Sequence, residues 1–228
     1  MTAWKVDDVM TKAVVSVEPA ASYREVVDLL IGHRFSAVPV VDEYQHVTGV
    51  ISETDLLRKI EYAGDEQPRL FEGRRRRGER AKAFAGAAAD LMSSPPVVVL
   101  SKTPIAAAAR LMDAENVKRL PVVDDLGRLI GIVSRGDLLK VHLRPDDEIS
   151  ADITESVLGA LLHEGADRVS VAVDGGVVRL TGEVDRRSTA NLAVRLTRQV
   201  PGVVEVIDKL QVAFEDTDTT GAGVFYVA

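Results

Sequence analysis

The sequence contains no cysteine. A disulfide framework, a thiolate metal site and a cysteine nucleophile are therefore excluded, and the composition fits a reducing compartment. No apolar run approaches the roughly 18–20 residues that a membrane helix needs. The N-terminal stretch MTAWKVDDVM has neither a basic start nor an apolar core, so no signal peptide is expected. The four histidines, His33, His46, His142 and His163, have no partner at helical spacing, and no zinc motif is visible. No dinucleotide fingerprint, phosphate-binding loop or nucleophile elbow occurs. Glu53 and Asp55 form a close carboxylate pair, but no acid–base set surrounds them, and an enzyme is not expected. The formal net charge of -7 argues against a general nucleic-acid binder, whose field should be basic. With 46% hydrophobic and 28% charged residues, the composition is that of an ordinary soluble protein, expected in the cytoplasm.

What the chain does have is a unit written twice. Val38 to Leu57 reads VPVVDEYQHVTGVISETDLL, and Leu120 to Leu139 reads LPVVDDLGRLIGIVSRGDLL. A shift of 82 positions maps Pro39 onto Pro121, Gly49 onto Gly131, Ser52 onto Ser134 and Asp55 onto Asp137. An internal repeat of this kind sets the architecture before any single motif does. In the first copy, Val14–Val17 is a β-branched strand candidate. Ser22 with Glu25 is a capping-box signature ahead of a helical stripe of Val26, Val27, Leu30 and Ile31. Strands follow at Ala37–Val41 and Val47–Ser52, joined by a turn at Asp42–Gln45, with a helix from about Thr54. The second copy repeats this order. Val97–Leu100 is the strand, Thr103-Pro104 caps a helix carrying Ala108, Leu111 and Met112, and Leu120–Val123 and Leu129–Ser134 are the paired strands. A closing helix runs from Leu138.

Between the copies the composition changes. Residues 69 to 84 carry seven basic and two acidic side chains, including the run Arg74–Arg77, and Ala81 to Ala89 permits helix. The expectation is an exposed basic loop and helical linker. Only Phe71 and Phe84 flank the run, too few for stacking on single strands. After the turn Arg144–Asp147 comes a third unit. Ile153, Val157, Leu158, Leu161 and Leu162 give a helix face. Val169–Val173, the turn Asp174-Gly175-Gly176 and Val177–Thr181 give a hairpin. Ser188–Arg198 is an amphipathic helix with Leu192, Ala193 and Leu196 inward, Pro201-Gly202 ends it, and Val203–Val212 is a last strand. The tail beyond Phe214 is acidic and expected to be frayed, apart from a final apolar VFYV.

Two copies of a β-α-β-β-α unit, each with apolar-Pro-Val-Val-Asp and then Gly-x-x-Ser-x-x-Asp, resemble a pair of CBS domains forming one Bateman module. The third unit resembles a BON domain, on Gly176–Gly182 (GVVRLTG) and Pro201–Asp208 (PGVVEVID). The implied fold is α/β: tandem CBS repeats packed as a pseudo-twofold module, with a small α+β (αββαβ) BON-like domain. The domains are placed at 1–59, 88–144 and 149–214, with a linker at 60–87 and a tail at 215–228.

The resemblance implies a regulatory sensor that binds an adenine nucleotide, AMP, ADP or ATP, and signals to the BON-like domain or to a protein partner. It further implies pairing of modules into a homodimer. Each Ser-x-x-Asp places a serine at a strand end and an aspartate in the first helical turn. An ionised carboxylate there accepts two hydrogen bonds, which matches the two hydroxyls of a ribose, and the helix N-terminus favours phosphate. A plain helix cap gives the same pattern. One copy alone favours the cap, whereas two copies in register favour binding at one site at least.

The candidates are Ser52, Thr54, Asp55, Ala37 and Val15 for the first site. For the second they are Ser134, Arg135, Asp137, Lys118, Arg119, Leu120 and Val98. Lys118, Arg119 and Arg135 stand where the first copy has Ser36, Ala37 and Glu53, so the Ser134–Asp137 site is expected to take the phosphorylated ligand. Core packing is the competing role for Ala37, Val15, Val98 and Leu120. No metal site is expected. Residues 149 to 228 hold seven basic and twelve acidic side chains, so a membrane partner is not expected for the third unit. A ligand-free scaffold, and a nucleic-acid contact through Arg74–Arg77, stay open as alternatives.

Overall fold

The computed structural model describes residues 4–61, 86–162 and 168–216. The Arg74–Arg77 run, most of the linker and the VFYV tail lie outside the described residues. The chain divides into two compact units, Lys5–Leu138 in one and Trp4 with the residues from Leu139 onward in the other.

In the first unit the elements are α1 (Val6–Val9), α2 (Tyr23–His33), β1 (Ala37–Val41), β2 (Val47–Ser52) and α3 (Glu53–Glu61). They are followed by α4 (Ala88–Leu91), β3 (Val99–Leu100), α5 (Ile105–Ala114), β4 (Arg119–Val123), β5 (Leu129–Ser134) and α6 (Arg135–Leu139). β1 pairs antiparallel with β2 and β4 with β5, each with one bulge before the turn, at equivalent positions. The turns match as well. Gln45 and Gly127, 82 positions apart, both take a positive φ (66° and 80°). Asp42 and Asp124 each accept backbone N–H bonds from two and four residues ahead, which closes the turn.

The expected capping box forms. Glu25 N donates to Ser22 Oγ (3.3 Å) and Ser22 N to Glu25 Oε2 (2.6 Å), and the bond from the Ser22 backbone lowers the Glu25 carboxyl below its ordinary value. Four local expectations are corrected. The strand at Val14–Val17 shrinks to a single parallel bridge between Val17 and Val40, and that at Val97–Leu100 to the two residues of β3. Thr103 is not the cap of α5. Pro104 takes that position, while the Thr103 carbonyl accepts from Val6 N (2.9 Å). The closing helix of the second copy starts at Arg135, directly after β5, not at Leu138.

The two copies exchange their lead-in segments. Thr11, from the first copy, bridges Ile132 on β5 through both backbone bonds (2.9 and 3.0 Å). Ser93, from the second copy, bridges Val50 on β2 in the same way (2.9 and 3.2 Å). Ala88 and Leu91 are fully buried in the core of the first copy, beside Val26, Leu30, Val38 and Ile51. At ~1.5–3 kcal/mol for a fully buried leucine-sized side chain, this donated turn is a substantial part of that core. Two glycines make room for the exchange. A Cβ on Gly49 would meet the Met92 side chain, including its Cβ at 2.8 Å, and a Cβ on Gly131 would overlap the thioether of Met10.

The second unit begins with a 3-10 turn (Lys140–Leu143) and a continuous helical stretch. That stretch comprises α7 (Asp146–Asp152), a π-helical segment (Ile153–Leu158) and α8 (Gly159–Leu162). It starts earlier than the apolar face alone suggests. Asp146, expected in the turn, is its first residue, and its carboxylate accepts from Gly175 N (2.8 Å) and Gly176 N (2.9 Å). These glycines have φ of 55° and 77°, as a two-residue hairpin turn requires. The hairpin joins β6 (Val169–Asp174) to β7 (Val177–Arg186); α9 (Arg187–Thr197) and β8 (Glu205–Phe214) follow. β8 pairs parallel to β7, so the sheet order is β6-β7-β8. Ile149, Ile153, Val157 and Leu158 pack with Val178, Leu180, Ala190 and Ala193 in a separate core.

The start of the tail is anchored, not frayed. Glu215 pairs with Arg187 (2.8 Å), and Asp216 accepts from Ser188 N (2.8 Å) and Ser188 Oγ (2.6 Å). The Arg187 side chain and the Ser188 hydroxyl respectively hold the Glu215 and Asp216 carboxyls below their ordinary values.

Two outcomes are expected. Gly49→Ala should lower stability by ~1–3 kcal/mol in urea unfolding, as overpacking does, and Gly131→Ala by less, because the flexible end of Met10 can swing aside. Equal costs would show that the close approach at Gly49 is not fixed by the backbone. Because their folded-state pKa values are depressed, Glu215 and Asp216 contribute stability above their unfolded values of about 4 and lose it as pH falls through the folded values. Carboxyl NMR titration should place both midpoints below the ordinary values, and ordinary midpoints would remove this anchor.

Candidate functional site

β2 ends at Ser52 and α3 begins at Glu53 with no intervening loop. That junction holds Asp55 in the first turn of the helix, 6% exposed. Its Oδ2 accepts from Ser52 N (3.0 Å) and Ser52 Oγ (2.6 Å), and Asp55 N lies 3.4 Å from Ser52 Oγ. Its Oδ1 is approached by Arg58 (3.3 Å) and by Ser93 Oγ (3.5 Å) from the crossing lead-in. The second copy repeats the reciprocal box. Ser134 N donates to Asp137 Oδ2 (2.9 Å), Ser134 Oγ to the same oxygen (2.6 Å), and Asp137 N to Ser134 Oγ (3.2 Å). Both Ser-x-x-Asp motifs are thus helix caps. In the first, the cap also orients a carboxylate beside a cavity.

That cavity, about 200 Å³, lies between the copies. One wall is Ser36, Ala37, Val50 and Ser52 with Glu53, Thr54 and Asp55 at the helix start; Ser93 closes a corner. The opposite wall is Asn116 to Arg119, the link from α5 into β4. Asn116 has φ of 51°, matching Arg34 (56°) at the equivalent link of the first copy. Arg119 Nε donates to Ser36 Oγ (2.7 Å) across the cavity. Two carboxylates and two cations therefore share one concave site, along with the hydroxyls of Ser52 and Thr54.

This arrangement corrects the assignment of charge. Lys118 and Arg119 precede Pro121 in sequence, and Arg119 faces Ser134 across the β4–β5 ladder. Yet both line the cavity of Asp55, because the link that carries them crosses to the first copy. Arg135 does not face a phosphate site. Its Nε donates to Val117 O (3.2 Å) and its Nη2 contacts Met112 O (3.4 Å), so it covers carbonyls at the end of α5.

A smaller cavity, about 70 Å³, lies beside the second copy and is lined by Thr11, Ala13, Val14, Val15, Phe35, Ala37, Arg119 and Ile132. Ser134, Arg135 and Asp137 line neither cavity. Val15 lines the smaller one, not the site of Asp55. Leu120 is fully buried in β4, where both faces are covered from Leu120 to Val123, and Val98 lines neither cavity. Ser93, Asn116 and Val117 were not anticipated. The 82-residue register puts Ser93 opposite Thr11, but only the exchange of lead-ins brings it to Asp55.

The comparisons with known proteins bear on the domains. The CBS domain family model matches residues 6–62 and 88–144, and the BON domain model residues 145–213. The CBS domain-containing protein DDB_G0289609 of Dictyostelium discoideum is 30% identical over 139 residues, covering 61% of this chain and 91% of that protein. The chain belongs to the CBS-domain family. Its CBS pair is followed by a BON domain, as the repeat and the third unit suggest. CBSX2, a chloroplastic CBS domain-containing protein of Arabidopsis thaliana, is 32% identical over 138 residues, which cover 56% of this chain and 58% of CBSX2. The chain therefore spans little more than half the length of that relative. The crystal structure of CBSX2 in complex with AMP superposes with a TM-score of 0.55 at 32% identity, covering 61% of this chain and 97% of that one.

Among the described residues no cluster of three His, Cys, Asp or Glu side chains is set to hold a metal, and no helix is long and apolar enough to cross a membrane.

The Asp55 cap is expected to matter to the fold as well as the site. Ser52→Ala should cost ~1 kcal/mol in unfolding experiments, within the range for an N-cap, and Ser134→Ala a similar amount. A much larger cost at Ser52 would mean that the hydroxyl does more than cap α3.

Proposed function

We propose that the CBS pair is a regulatory sensor that binds an adenine nucleotide in the cavity of Asp55, acting without catalysis. One observation carries the reading: a buried aspartate, a helix N-terminus and the cations Lys118 and Arg119 converge on a single cavity between the copies. The Asp55 carboxylate suits the hydroxyls of a ribose. Thr54, the first-turn amides of α3 and the Lys118 ammonium suit a phosphate. Ala37, Val50 and Val117 supply apolar surface for a base. Glu53 and Asp55 offset the two cations, so the site favours the modest charge of AMP over the larger charge of ATP. The AMP held by CBSX2 supports the same ligand class.

A ligand in this cavity touches both copies and so biases their relative arrangement, provided it binds two arrangements unequally. The BON domain or a protein partner receives that change in this reading. Homodimerisation and a cytoplasmic location belong to the same proposal. Dimerisation is supported by the exposed Ile31 (72%), Leu57 (59%) and Ile60 (71%) beside an apolar groove between α2 and α3, and sedimentation of the full chain tests it.

Titration calorimetry with AMP, ATP and adenosine tests the ligand. AMP should bind and raise the unfolding temperature, as a ligand selective for the folded state does. Asp55→Asn should weaken AMP by roughly 10- to 100-fold, from loss of a charge-assisted hydrogen bond of ~1.5–3 kcal/mol. Lys118→Ala should weaken AMP more than adenosine, and equal losses would remove Lys118 from the phosphate. No response to any of the three would favour a ligand-free scaffold.

A further inference from the structure

The 82-residue register relates every wall of the Asp55 cavity to a position around the second copy, so the two sites can be compared residue by residue. At the strand start, Ala37 of the first site corresponds to Arg119. On the partner strand, Val50 corresponds to Ile132, and on the crossing link Val117 corresponds to Phe35. The last two changes add bulk in the second cavity, whereas Ala37 and Arg119 each line both cavities. The volumes follow, about 200 Å³ against about 70 Å³. The helix start changes as well, because Thr54 corresponds to Gly136 and its hydroxyl is lost. Arg119 has a double position. It stands at the strand start of the second site, lines both cavities, and sends its guanidinium to Ser36 Oγ at 2.7 Å.

We infer that the CBS pair is a one-site module. Phe35 and Ile132 narrow the second cavity with side chains, while Arg119 delivers its charge to the first. Among the described residues the duplicated fold thus keeps two helix caps, and the one at Ser52–Asp55 opens on the larger of the two cavities. The filling is specific to this pair of positions, because the backbone around them is otherwise matched. Glu53 N donates to Ser36 O and Arg135 N to Lys118 O, both at 3.1 Å. Side-chain size separates the sites, with no difference in register.

The inference rests on the nucleotide reading above, and its test separates the two. The full chain is titrated with AMP to saturation, and the number of equivalents per chain is read by calorimetry and by equilibrium dialysis. One equivalent is expected, weakened at least tenfold in Asp55→Asn and unchanged in Asp137→Asn. The double variant Phe35→Val/Ile132→Val, which leaves Arg119 in the first site, is expected to accept a second equivalent, and thermal unfolding verifies that it is folded. Two equivalents on the unaltered chain would overturn the one-site assignment while leaving nucleotide binding intact. A single equivalent lost in Asp137→Asn and kept in Asp55→Asn would overturn it as well. If the unaltered chain binds no AMP, the nucleotide reading fails and the one-site assignment falls with it.

Discussion

The exchange of lead-in segments is the constraint on which the first unit depends. Neither copy completes its own sheet or core. The first borrows Ala88, Leu91 and Ser93, and the second borrows the segment ending in Thr11. The borrowing sets the spacing between copies, since Met92 occupies the space that a Cβ on Gly49 would take and Met10 that of a Cβ on Gly131. At Gly49 glycine is required by a neighbour, with no unusual backbone angle involved. The same crossing brings Ser93 to Asp55. The core and the candidate site are therefore two results of one arrangement, and a change that loosens the exchange acts on both.

The fold was legible in the sequence to a large extent, for physical reasons. A repeat in register constrains topology more than any single segment, and the apolar runs Ala37–Val41 and Leu129–Ser134 are bounded by turn residues that fix their ends. Ser22 and Glu25 announce a helix start because a capping box needs both partners at that spacing. The short strands were overestimated for the opposite reason. Val14–Val17 and Val97–Leu100 are β-branched, but each has ladder partners along only one or two residues. The third unit read well because its hairpin turn needs positive φ at two successive residues, and Gly175-Gly176 supplies it. Its helix start was missed because Asp146 spends its carboxylate on the hairpin turn instead of on a local cap, a long-range use with no local signature.

The site was less legible than the fold. Sequence neighbours suggested that Lys118 and Arg119 belong with Ser134 and Asp137. That inference treats each copy as its own container, whereas the cavity is assembled from the link of one copy and the helix start of the other. Arg135 illustrates the same difficulty. A cation inside a Ser-x-x-Asp motif looks like a phosphate partner, but the end of a nearby helix offers carbonyl oxygens at closer range. Charge in a sequence states what is available, and the geometry decides which acceptor takes it.

The exchanged lead-ins bear on how such a molecule comes into being. A single copy alone would leave the face over Gly49 uncovered, and it could cover it only by taking the corresponding turn from a second polypeptide. Joining the two copies in one chain turns that encounter into an intramolecular event, with an effective concentration set by the connection and independent of how much protein is present. Once the pairing no longer depends on abundance, the two copies are released from being identical. Each can then accumulate its own side chains at matched positions, as Ala37 and Arg119 have done.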